Sequence, residues 1–149
     1  MFAGQSISRY RSREVNDYIT RFNAQDATAF DDYIHPELRM QNGGMVFRGV
    51  QGMKDHDSWI WKTFRETLDV QRFVADDETI GIEMKTHFDA LRTNDDAPFG
   101  AVAAGEQFDS HGVIIYRMRD RKFGDIRVAY LSFSRTGLDG VEVQLGLAH

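Results

Sequence analysis

The sequence predicts an α+β domain with helices laid on one face of a curved, mostly antiparallel sheet. Three observations predict it. Helical periodicity is confined to residues 1–67, segments rich in Val, Ile, Phe, Tyr and Thr fill 69–134, and only two prolines, Pro36 and Pro98, interrupt the chain. A chain of 149 residues suits one domain, spanning 1–149.

Residues 13–24 read as the first helix, because Val15, Tyr18, Ile19 and Phe22 recur at i, i+3, i+4 and i+7. Ser12 is placed to cap it, and Glu14 suits the positive end of the helix dipole. Asp26 reads as a second N-cap, opening a short helix that runs to Ile34. Pro36 disfavours helical geometry at His35 and stops it. Segments 37–41 and 45–48 read as short strands joined around Asn42-Gly43-Gly44, a hairpin signal. A third helix is predicted over 51–67, with Met53, His56 or Asp57, Ile60 and Phe64 on one face. Strands are expected at 69–75, 79–91, 106–118 and 123–134, the last two joined by the polar turn Arg119-Asp120-Arg121-Lys122. The stretch 92–105 has no period and reads as a long loop able to cover a site.

Composition excludes several function classes. Cysteine is absent, so there is no disulfide scaffold, thiolate metal site or cysteine nucleophile. The net charge of −5 argues against nucleic acid as a partner. No apolar run approaches the roughly 18 residues of a membrane span, and no apolar stretch follows the basic start, so a cytoplasmic location without a membrane partner is expected. Histidines occur singly, without metal-ligand spacing. Neither a phosphate-binding glycine loop nor a GxSxG elbow is present. The expectation is therefore no metal and no organic cofactor. Aromatic residues are 12% of the chain, more than core filling alone suggests.

Taken in order, DYITRFNAQDATAFDDYIHPELRMQN (17–42), FRG (47–49) and GVIIYRMRDRKFGDIRVAY (112–130) carry a resemblance to the nuclear-transport-factor-2-like superfamily. That group includes ketosteroid isomerase, SnoaL-type polyketide cyclases, limonene-epoxide hydrolase and scytalone dehydratase. The resemblance covers roughly 10–135. It implies a cone-shaped barrel enclosing a pocket, a homodimer paired through the sheet, and cofactor-free acid/base chemistry. It places Tyr18 where the isomerase keeps an oxyanion-stabilising tyrosine. Asn42 takes the isomerase's base position, which is also where the epoxide hydrolase keeps a water-positioning asparagine. Ile114 and Val128 stand where relatives keep catalytic acids or a histidine, so this chain departs from those patterns.

The expected catalytic residues are accordingly Tyr18, His56 and Asn42. Tyr18 donates to a developing oxyanion, His56 has an ordinary pKa near 6.5 suited to proton transfer, and Asn42 orients a hydroxyl or water. Each also has a plain structural reading, as core tyrosine, edge histidine and turn asparagine. Tyr116, Tyr130, Ile114, Val128, Phe22, Ile60 and Phe64 are the expected substrate-binding residues. Ser132 shares strand parity with Val128 and is expected to face the pocket too. Glu83, Lys85, His87 and Asp89 alternate onto one face of a strand, and Ile82, Met84, Thr86 and Phe88 onto the other. The charged set is favoured outside, and a one-residue slip would bring it in. His35 reads as structural, His111 as a surface or dimer contact, and His149 as terminal. The substrate expected is a flat, apolar aromatic small molecule, turned over by isomerase, cyclase, dehydratase or lyase chemistry. A narrower resemblance is to deformylating lyases that convert lignin-derived diarylpropane diols to a stilbene and formaldehyde. The alternative is a non-catalytic ligand-binding or dimeric assembly module. A cone filled with aromatics and lacking buried titratable groups would favour that alternative, and polar groups converging on an open cavity the enzyme.

Overall fold

The computed structural model describes residues 2–146, with side chains from Arg9 onward, and His149 lies outside them. The first helix, α1, covers Phe2–Asn23. The predicted stripe is its buried face: Val15, Tyr18 and Phe22 are each 4% exposed. The helix begins well before Ser12, which lies within it and cannot be its cap. A tertiary anchor accounts for part of the added length. Arg11 is buried and donates to the Asp77 carbonyl at 2.8 Å and to Glu14 Oε1 at 2.7 Å. The second helix, α2, covers Thr28–Tyr33, and the Asp26 carboxylate accepts the Thr28 N–H at 3.0 Å.

β1 runs Ile34–Asn42, longer than the predicted 37–41, and takes in His35 and Pro36. The proline is tolerated because pairing with the neighbouring strand breaks between Ile34 and Arg39, where no ladder donor is needed. His35 is held between Asp120 Oδ2, 3.1 Å from Nε2, and the Glu37 N–H donated to Nδ1 at 2.9 Å. β2 (Met45–Arg48) pairs antiparallel with β1 across the predicted turn. The third helix, α3, spans Gly49–Trp61, six residues shorter at its C-terminus than predicted. Phe64 opens β3 (Phe64–Ala75), whose ladder to β4 (Thr79–Ala90) starts at Phe64↔Ala90. Strand pairing therefore takes residues that local helical periodicity claimed. β5 (Gln107–Arg119) and β6 (Lys122–Thr136) follow, and an unpredicted β7 (Glu142–Gln144) pairs with β6. Asp120 and Arg121 both have positive φ, 50° and 65°, the geometry that a two-residue hairpin joining right-twisted strands requires.

The sheet order is β2-β1-β6-β5-β4-β3, all neighbours antiparallel except β1 and β6. Bulges curl it into the predicted cone. One sits where His111↔Ser132 gives way to Gly112↔Tyr130, leaving Leu131 unpaired. Gly112 is required there, since a Cβ would come within 2.6 Å of the Ala129 carbonyl oxygen. The bulge also shifts parity, so Ser132 stands opposite outward-facing His111 and not in the pocket as expected.

Two cores result. The larger gathers α1, α2, Met53 of α3 and the inner sheet around Phe30, Phe123 and Ile126. The smaller is built from Ile60, Phe64, Phe88, Phe108, Ala97 and Val102, with Phe99 packed against them. Loop 92–105, expected to cover a site, instead closes this second core, tied by a bridge between Asn94 and Val102. Burying each Phe contributes about 1.5–3 kcal/mol, which explains much of the aromatic surplus.

Candidate active site

Between α1, α3 and the inner face of the sheet lies a cavity of about 100 Å³. Tyr18 and Phe22 enter from α1, Asn42 from the end of β1 and Phe47 from β2. Ile114 and Tyr116 come from β5, Val128 and Tyr130 from β6, and His56 from α3. Eight of the ten expected site residues thus line one cavity. Ile60 and Phe64 do not. Because α3 ends at Trp61 and the chain reverses into β3, both turn into the second core.

The register question at β4 is resolved by the ladder. Met84 and Thr86 line the cavity, while Glu83, Lys85, His87 and Asp89 face outward. Outside, His87 bridges Asp109 at 2.7 Å and Asp89 at 3.0 Å, and His111 meets Glu83 at 2.7 Å.

Two carboxyl groups in the cavity were not foreseen as site residues. Asp57 is 4% exposed and sits on the buried stripe of α3 with Met53 and Ile60. Glu66 is 7% exposed and points inward from β3, two residues after Phe64. Local chemistry holds Glu66 in place. The Gln25 amide donates to the Glu66 carbonyl at 3.2 Å, and Gln25 Oε1 accepts the Glu66 N–H at 3.3 Å. Asn23 makes the same pair of bonds with Leu68 at 3.0 and 2.8 Å, so the end of α1 zips the free edge of β3. Trp61 Nε1–H donates to Glu66 Oε1 at 3.2 Å. Its ring is clamped by Phe30, stacked at 5.9 Å, and by Phe22, edge-on at 5.3 Å.

Burial dominates the electrostatics. It pushes the Glu66 carboxyl up to about 7, with the Trp61 N–H pulling the other way. It raises Asp57 well above the usual carboxylate range, and the nearby Glu66 charge raises it further. Tyr18 is driven up by burial, then by Tyr116 and the two carboxyls, so its phenol stays protonated as a donor. Burial also raises Tyr116. It raises Tyr130 too, an effect the adjacent Asn42 amide opposes. His56, half-buried and stacked on Phe47 at 4.7 Å, is lowered by burial and is a neutral imidazole around pH 7. Among the described lining residues there is no lysine or arginine. The arrangement offers proton donors and acceptors with raised proton affinities inside an aromatic wall, which is what general acid/base chemistry at neutral pH needs.

A sequence signal for both carboxyls exists. Asp57 is the i+4 partner of Met53 within an apolar stripe, and Glu66 shares strand parity with Phe64, Leu68 and Val70. A charged residue at a core position is the mark of both.

Comparison with known proteins agrees with this fold. Residues 15–126 match the SnoaL-like domain family model. Among solved structures, a candidate polyketide cyclase of Xanthomonas campestris pv. campestris superposes with a TM-score of 0.69 at 19% identity, covering 81% of this chain and 90% of its own. A candidate polyketide cyclase of Pseudomonas putida KT2440 gives 0.65 at 21% identity, covering 85% and 91%. An LEH-like epoxide hydrolase of Mycobacterium tuberculosis gives 0.59 at 17% identity, covering 79% and 80%. No curated protein sequence matches the chain.

Proposed function

The chain belongs to the SnoaL-like domain family, and on that footing we propose that it is a cofactor-independent acid/base enzyme acting on a hydrophobic aromatic small molecule. One observation carries the proposal: Asp57, Glu66 and Tyr18 converge, buried, from α3, β3 and α1 on one aromatic cavity. A ligand carrier has no need of two desolvated carboxyls, which cost the fold stability whatever they do. Tyr18 donates to the oxygen that gains charge, the carboxyl pair transfers protons, and Asn42 holds a hydroxyl beside Tyr130. His56 stands between Phe47 and exposed Trp59, with ring centroids 4.7 and 6.1 Å away. As a neutral base it can relay protons outward.

Cavity size and charge narrow the substrate. A void of about 150 Å³ admits one benzene ring, so a cavity of about 100 Å³ encloses no more than one ring. A second ring would rest outside it against Phe47 and His56. With only negative formal charges in the lining, the substrate is neutral or cationic. The narrower reading fits these limits. A 4-hydroxyaryl 1,3-diol gives up its phenolic proton and its benzylic hydroxyl as water, forming a quinone methide. A base then takes the terminal hydroxyl proton, formaldehyde departs, and the electrons restore the aromatic ring as the stilbene forms.

The test is a panel of neutral aryl compounds followed by mass spectrometry: a diarylpropane diol, a β-keto ester, an unsaturated ketone and an epoxide. Turnover of one member is expected. Tyr18→Phe and His56→Ala should each slow that turnover at least roughly tenfold. Panel members that bind without conversion would sink the enzyme reading in favour of a carrier.

The outer sheet surface exposes Val113, Ile115 and Leu131 at 40, 45 and 60%. We propose that it pairs two copies of the chain. Sedimentation should give twice the chain mass, and Ile115→Lys should return it to one; an unmodified chain sedimenting at 17.1 kDa would refute the pairing.

A further inference from the structure

The two cavity carboxyls have unequal surroundings, and they differ in whether a side-chain donor reaches them. Glu66 Oε1 accepts the Trp61 indole N–H at 3.2 Å, whereas Asp57 Oδ2 is buried and meets no donor. An indole N–H can only donate, so it favours a carboxylate over a carboxylic acid at the oxygen it touches. An orphaned buried oxygen favours the protonated acid, because a bare charge there has nothing to compensate it. Building on the acid/base reading above, we infer that Trp61 is a positioning residue that divides the pair's labour, holding Glu66 as the ionised base and leaving Asp57 as the protonated acid.

The proton balance follows. Glu66 takes a proton from a C–H or O–H of the substrate and becomes an acid. Asp57 gives its proton to the leaving oxygen, or to the oxygen that gains charge, and becomes a carboxylate. The pair's single negative charge moves from one residue to the other without a second charge appearing in the cavity. Transfer of a proton from Glu66 back to Asp57 resets the site. The other titratable groups facing the pair are Tyr18 of α1, His56 of α3, Tyr116 of β5 and Tyr130 of β6. Burial raises all three phenols and lowers the imidazole, so all four are neutral around pH 7. The lining residues of β1, β2 and β4 carry no titratable side chain. The indole donates to Glu66 while the buried Asp57 Oδ2 meets no donor, and it is the one influence that pulls Glu66 downward.

The experiment is a carboxyl-carbon NMR titration of the full chain labelled at Asp and Glu, with Asp57→Asn and Glu66→Gln used for assignment. In the unmodified protein, the Glu66 carbon should follow the lower of the pair's two midpoints, and the Trp61 indole N–H resonance should move at that same pH. Trp61→Phe keeps a ring against Phe22 and Phe30 but removes the donor. It should raise the lower midpoint by about one unit, the scale of a hydrogen bond to a charged group. The inference is overturned if Asp57 titrates first, if the indole N–H does not respond, or if the midpoint stays put in a folded Trp61→Phe protein. The first two readouts do not depend on Trp61→Phe folding, and the carboxamide variants serve only to assign the two carbons. The titration also needs no substrate, so its failure removes the division of labour alone, whereas failure of the substrate panel removes the enzyme reading.

Discussion

Replacing Asp57 with Asn, or Glu66 with Gln, should lower kcat/KM on the true substrate by about 10²–10⁴-fold, the range associated with a positioned general acid or base. Both substitutions keep shape and hydrogen-bonding capacity while removing the ability to exchange a proton. The two losses should not add. Once one carboxyl is gone the transfer is broken, and removing the second costs little more. The comparison is with Tyr18→Phe, where loss of one oxyanion donor leaves proton transfer intact. Steady-state rates of the two single variants and the double variant decide it. Either single variant retaining more than a tenth of the activity would remove that carboxyl from the mechanism.

The same variants should be more stable than the unmodified protein above pH 7, and this is the second large effect. Both carboxyls bind protons more tightly in the folded state than in the unfolded chain, where a glutamate titrates near 4.3. Between that value and about 7 the folded state holds more protons, so the free energy of unfolding falls as pH rises through this window. For Glu66 the loss amounts to about 4 kcal/mol once pH exceeds the folded value. Other groups act alongside. Asp26 and Asp76 are lowered by hydrogen bonds to their own turns, and Glu106 by Arg135, so their stabilisation is lost in the opposite direction, as pH falls. For His87, burial opposes the charge, but Asp109 and Asp89 raise its pKa overall. Its stabilisation is present below the unfolded value and lost as pH rises through the folded one. The difference between the unmodified protein and the Asp57→Asn/Glu66→Gln protein isolates the cavity pair from all of these. Chemical unfolding at pH 5 and pH 8 should show that difference growing toward pH 8 in favour of the double variant. A difference that does not change with pH would mean that the two groups are not held protonated by burial. Lower activity with higher stability is the pattern of a site that keeps costly groups for function.

Much of this molecule was legible from local pattern. The α1 stripe of Val15, Tyr18 and Phe22 follows from 3.6-residue periodicity, and the hairpin at 119–122 from a polar turn between two β-rich runs. The outward set Glu83, Lys85, His87 and Asp89 follows from strand alternation. Eight of the ten expected site residues reached the cavity because a strand side chain's face is set by parity and a helix side chain's by angle.

The misses share a cause, and it is physical. Parity alone places Ser132 inward, but the bulge at Leu131 reverses parity where β5 and β6 bend together to close the cone. A helix extended to 67 would turn Ile60 and Phe64 to the cavity, but α3 ends earlier because β4 offers Phe64 and its neighbours a ladder no local signal reports. Moving that one boundary also turned Glu66 from a helix-end charge into a buried carboxyl. Local pattern alone sets the α+β class, the order of elements, the aromatic wall and the inward-facing Tyr18, since these rest on interactions among residues close in the chain. That Asp57 and Glu66 share a cavity, and that Trp61 reaches just one of them, follows from long-range packing. A carboxyl's proton affinity depends on what excludes water from it, and here the excluding residues come from α1, β4, β5 and β6, far away in the chain.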